Sequence, residues 1–83
     1  MTTQVEPSEL VAVFAANVRS RRLKLGLTQQ QLADRLGTYE SYICAIEAGT
    51  KNPRLPNVAN FAEALSTTPD ALLKSSKKPK KSA

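Results

Sequence analysis

The sequence predicts an all-α domain of five short helices. Three observations carry that prediction. Apolar residues recur at three- and four-residue spacing in separate stretches, and no stretch shows the strict alternation of a strand. Residues suited to starting a helix (Ser8, Thr28, Thr38, Thr68) stand just before those stretches, and Gly26, Gly37 and Gly49 stand just after three of them. The chain has 83 residues, which is room for one domain. A domain this small buries only about 60% of its unfolded surface.

In chain order, residues 1–7 read as a disordered arm that ends at Pro7. Ser8 is a plausible N-cap for a first helix reaching about Leu25. Leu10, Phe14 and Val18 recur every four residues, with Val11 and Leu25 beside them, in one apolar stripe. Glu6 and Glu9 lie at the start of this helix and its Arg and Lys residues towards the end, as the helix dipole favours. Thr28 caps a second helix over residues 29–36, with Leu32, Ala33 and Leu36 on its inner face. Gly37 follows the last apolar residue, where a left-handed residue ends a helix at little steric cost. A third helix over residues 39–48 buries Ile43 and Ile46 and closes at Gly49. Because Tyr39 cannot cap, that role is expected to pass to Thr38. Pro53 breaks the following loop. A fourth helix, residues 56–65, turns Val58, Phe61, Ala62 and Leu65 inward, and Leu55 is expected in the core as well. Thr68, Pro69 and Asp70 are a cap, a first-position proline and a first-turn acid for a short fifth helix carrying Leu72 and Leu73. The folded body is thus expected over residues 8–73, with residues 74–83 a Lys-rich tail that has nothing to bury and stays disordered.

Composition narrows the chemistry. The chain has no His and one Cys, so a His-ligated zinc, a catalytic His and an intramolecular disulfide are all excluded. There is no nucleophile–base pair, no metal-ligand cluster and no Gly-rich phosphate loop, so neither an enzyme nor a cofactor is implied. No apolar run has the length of a membrane span, and the first residues do not read as a signal peptide. A cytoplasmic, nucleoid-associated protein is the default. The net charge of +5 comes entirely from Lys74, Lys77, Lys78, Lys80 and Lys81, leaving residues 1–73 formally neutral.

The second and third helices are joined by a tight turn, and small Ala33 lets their backbones approach closely. That is a helix-turn-helix arrangement. The run LTQQQLADRLGTYESYICAIEAG (residues 27–49) resembles the Cro/repressor (Xre-like) helix-turn-helix family of phage and bacterial regulators. The flanking VRSRRLKLGLTQQQLA and GTKNPRLPNVANFAEALSTTPDALL continue the pattern, and the likeness covers roughly Phe14 to Leu73. The resemblance implies a five-helix repressor-type DNA-binding domain whose third helix enters the major groove.

The same resemblance assigns residues. Positions matching Glu40, Ser41 and Ala45 meet base edges, with Tyr39 and Cys44 close by. Glu40 can accept from cytosine N4, Ser41 can donate or accept at several bases, and Ala45 can touch a thymine methyl. Gln29, with Thr28, is placed to hold a phosphate at the start of the second helix. Lys51, Asn52 and Arg54 lie where relatives meet the phosphate backbone, and Arg19, Arg21 and Arg35 add to the field. Arg22 and Glu47 match a partly buried ion pair that braces the third helix. Tyr42 has two readings, packing over the start of the third helix or reaching a phosphate. Cys44 is either a small side chain where relatives often have Ser or a redox-sensitive thiol, a role that needs a depressed pKa. Ser66 departs from the Gly usual in relatives at that helix end.

The resemblance further implies a homodimer on a palindromic double-stranded operator, acting as a repressor, with the fifth helix and nearby Val13 or Leu72 at the dimer surface. Alternatives within the class are a DNA-binding antitoxin, with a toxin or other protein partner, and a restriction–modification controller. From another class comes a protein-interaction adaptor that kept the fold and lost base reading. The Lys tail either contacts phosphates without sequence preference or is a solubilising end.

Overall fold

A computed structural model of the protein describes residues 7–75. Of the expected arm only Pro7 is described, and it belongs to the first helix instead; residues 1–6 and most of the Lys tail lie outside the described residues. Five helices follow in order: α1 (Pro7–Lys24), α2 (Gln29–Leu36), α3 (Glu40–Ala48), α4 (Leu55–Ala64) and α5 (Pro69–Leu73). No strand occurs among the described residues. α1 begins one residue before the expected Ser8 cap, because a proline's fixed φ and missing N–H suit the first helical position.

Four helices end in the same way. After α2, the Gly37 N–H donates to the Asp34 carbonyl (3.2 Å) and the Thr38 N–H to the Ala33 carbonyl (2.9 Å). With Gly37 at φ 70° this is a complete Schellman turn. Gly26 and Gly49 do the same for α1 and α3. α4 ends with Ser66 in that role, at φ 57°, with Thr67 donating to Ala62 at 2.8 Å. A side chain with a Cβ is strained there, and outside help compensates. Arg21 donates to the carbonyls of Leu65 and Ser66 (both 2.9 Å), and Arg35 to that of Ala64 (2.9 Å). Two of the three arginines expected to add to a DNA-facing field, Arg21 and Arg35, thus bind the C-terminal carbonyls of α4, where a cation also suits the helix dipole.

The core gathers one face of every helix. α2 packs on α3, α1 on α3 and α5, and α4 on α2 and α5. At its centre Phe61 meets Phe14 edge to face (5.4 Å between centroids) and Tyr42 in a tilted contact (6.1 Å). Val18, Leu32, Ala33, Ile43 and Leu65 are fully buried around them. Ala33, the small residue expected to allow close helix approach, is among these fully buried residues.

Two apolar expectations need correction. Leu55 is 79% exposed, although its spacing places it on the face of Val58. It opens α4, a turn beyond the edge of the core. Leu10 is 40% exposed for a similar reason: α1 has 18 residues, about 27 Å at 1.5 Å each, against 10 or fewer in its partners. Leu72, expected both in the core and at the dimer surface, is buried in the core and not open on the surface of the single chain.

Asn17 is a buried polar residue that the apolar periodicity concealed. Its amide donates to the Leu72 and Lys74 carbonyls, both at 2.8 Å, and so anchors the end of α5 to the middle of α1.

Candidate nucleic-acid interface

The start of α2 is a closed capping box. The Thr28 hydroxyl accepts from the Gln31 N–H (3.0 Å), and the Gln31 side chain accepts from the Thr28 N–H (2.8 Å). The Thr28 oxygen is therefore engaged as a cap. The Gln29 amide donates to Glu47 Oε1 at 3.1 Å, a contact that sequence reading missed.

Glu47 is the hub beneath the surface. Arg22 Nε donates to its Oε2 (2.6 Å) and Arg22 Nη2 to its Oε1 (2.9 Å). The two side chains are only 9% and 4% exposed. The third Arg22 nitrogen donates to the Leu27 carbonyl at 2.9 Å. These hydrogen bonds to Glu47 hold the Arg22 pKa above its ordinary value, against the desolvation that acts to lower it. One guanidinium therefore ties together α1, the segment leading into α2, and the last turn of α3.

α3 begins at Glu40. Tyr39 occupies the N-cap position with extended backbone (φ −103°, ψ 150°) and no side-chain cap bond. The expected transfer of capping to Thr38 does not occur. The Schellman turn binds the Thr38 N–H back to Ala33, which leaves Tyr39 alone to lead into the helix.

Ile43 and Ile46 point into the core, as their spacing requires. Glu40, Ser41 and Cys44 are exposed and Ala45 is half-buried. Tyr39 is 79% exposed beside them. Tyr42 departs from this set. Its ring packs on Phe61 and its hydroxyl accepts from Asn57 at 3.1 Å, so packing is the role the structure displays, against α4 rather than over the start of α3. Lys51, Asn52 and Arg54 are exposed on the loop after α3. Among the described residues, no three His, Cys, Asp or Glu side chains are grouped to hold a metal ion. No helix among them is long and apolar enough to cross a membrane.

Residues 18–72 match the helix-turn-helix family profile, well over half of the chain. The chain belongs to the helix-turn-helix family. It is 37% identical over 62 residues to control protein C.BamHI of Bacillus amyloliquefaciens, covering 74% of this chain and 76% of that one. The crystal structure of the hypothetical transcription factor NHTF from Neisseria superposes with a TM-score of 0.80 at 30% identity, covering 92% of this chain and 88% of that one. The restriction-modification controller protein C.AhdI from Aeromonas hydrophila superposes with a TM-score of 0.73 at 32% identity, covering 78% and 94%. This helix-turn-helix protein is a DNA-binding transcriptional regulator.

Proposed function

We propose that the chain is a homodimeric repressor that reads a two-fold symmetric operator by laying α3 in the major groove. The observation that supports this most is the division of α3. Its apolar side is buried through Ile43 and Ile46, its last turn is braced by Arg22, and Glu40, Ser41 and Cys44 are left uncovered. In this reading Ser41, Glu40 and Ala45 meet base edges, with Tyr39 and Cys44 beside them. Thr28, Gln29, Lys51, Asn52 and Arg54 hold phosphates, and Tyr42 supports α3 from within. Cys44 acts as a small side chain. Two copies of α3 then lie ~34 Å apart, one turn of DNA.

A controller of a restriction–modification operon is the second reading, favoured by the similarity to C.BamHI and C.AhdI. An antitoxin paired with a toxin has no such support. The site of action in this reading is the cytoplasm, at the nucleoid.

Selection from random duplex DNA tests the proposal. An enriched two-fold symmetric site is expected. Recovery of only sequence-blind, salt-sensitive binding would point to the adaptor, with base reading lost.

A further inference from the structure

We infer that Glu47 is a positioning residue for DNA binding. It holds the Gln29 amide so that the second N–H of that amide, beside the backbone N–H groups opening α2, faces a backbone phosphate. The inference rests on the DNA-bound reading above and adds a residue that no base or phosphate touches.

Three consecutive glutamines open α2, and each has a different bond. Gln30 donates to Asp34 (2.9 Å) along the helix, and Gln31 turns back to the Thr28 N–H (2.8 Å). Only Gln29 reaches across to α3, donating to Glu47 Oε1 at 3.1 Å. A carboxylate is an acceptor, so it draws the NH2 end of the amide and repels the carbonyl end. That choice matters for an anion. An amide held by one N–H keeps the other to offer to a phosphate, whereas a freely turning amide also presents its oxygen, which a phosphate repels.

Glu47 is fixed enough to make the choice. Its side chain is 4% exposed, and both oxygens are held by Arg22 at 2.6 and 2.9 Å. Arg22 also holds the Leu27 carbonyl, two residues ahead of Gln29, so both ends of the Gln29 contact hang on one guanidinium. Backbone N–H groups of a first helical turn have no partner inside the helix, and a helix N-terminus favours an anion. The ion pair therefore sets the orientation of a surface anion contact as well as supporting α3.

A double-mutant cycle tests this on the duplex recovered by selection, with binding followed by fluorescence anisotropy where circular dichroism shows each variant folded. Gln29→Ala should weaken binding about tenfold, the loss of one hydrogen bond to a charged group. Glu47→Gln should weaken it by a similar factor, and adding Gln29→Ala to it should cost less than a further twofold. If Glu47→Gln does not fold, Glu47→Asp takes its place, since it keeps the charge for Arg22 and draws the carboxylate away from Gln29. If Gln29→Ala costs the same factor with and without the Glu47 substitution, Glu47 is a support only and the inference is overturned. It is likewise overturned if Gln29→Ala leaves binding unchanged. If the wild-type chain enriches no site at all, the DNA-bound reading falls and takes this inference with it, an outcome distinct from the other two.

Discussion

Replacing Glu47 by Ala removes one half of a buried ion pair and leaves the other half in place. Arg22 is 7% exposed and would keep only its bond to the Leu27 carbonyl. Lost with the carboxylate are two charge-assisted bonds from Arg22, at 2.6 and 2.9 Å, and the 3.1 Å bond from Gln29. Removing one partner of a buried pair costs about 3–5 kcal/mol, because the remaining charge is still desolvated. An exposed pair costs about 0–1 kcal/mol. The short distances and 4% exposure of Glu47 place this pair with the first kind. The whole stability of a domain of this size is roughly 3–10 kcal/mol, so a large share would go. Urea unfolding followed at 222 nm is the assay. With a slope of about 1 kcal/mol per molar, a loss of about 3 kcal/mol moves the midpoint down by about 3 M. The combined variant Arg22→Met with Glu47→Leu should recover most of the loss, since an apolar pair of similar volume leaves no charge unpaired. A loss below about 1 kcal/mol for Glu47→Ala would refute the reasoning and reduce the pair to a surface contact.

Three further outcomes are expected. Ser66→Gly should raise the melting temperature by about 4 °C, because glycine relieves the left-handed backbone at φ 57° and the net gain is about 0.5–1 kcal/mol; an unchanged or lowered midpoint by differential scanning calorimetry contradicts this. Asn17→Ala should cost about 2 kcal/mol in chemical denaturation, since it strips the donor from the carbonyls of Leu72 and Lys74 at the end of α5. Native-state hydrogen exchange should then show α5 opening ahead of the other helices; equal protection of α5 in both proteins argues against the anchor. Ser41→Arg should leave the melting temperature within about 2 °C, as an exposed substitution does, and change the preferred DNA site in a selection experiment. An unchanged site would count against the groove placement of α3.

The helices and several of their ends were legible because their signals are local, although the caps expected at Ser8 and Thr38 did not follow. The Thr28 cap and the Gly37 helix end rest on bonds between residues no more than five apart, so propensity and spacing reach them. The inward side of α3 followed from the spacing of Ile43 and Ile46 in the same way. The Arg22–Glu47 pair spans 25 residues, and there a family resemblance, not spacing, supplied the expectation.

The remainder depends on which residues distant in sequence come together. Asn17 meets its acceptor on Leu72 across 55 residues, and Arg21 meets Leu65 across 44. No local pattern marks either as a helix anchor, and Arg21 and Arg35 looked like two more surface charges. The fate of Leu10 and Leu55 turned on where the core stops, which depends on helix lengths relative to one another. Tyr42 had two readings until Phe61 and Asn57 were placed beside it. The amino-acid sequence by itself thus determined where helices form and which side of each is apolar, since both follow from contacts within a turn or two. The tertiary structure alone decided which polar groups satisfy one another across the domain and which apolar ones lie beyond its edge, because those depend on the simultaneous position of five elements.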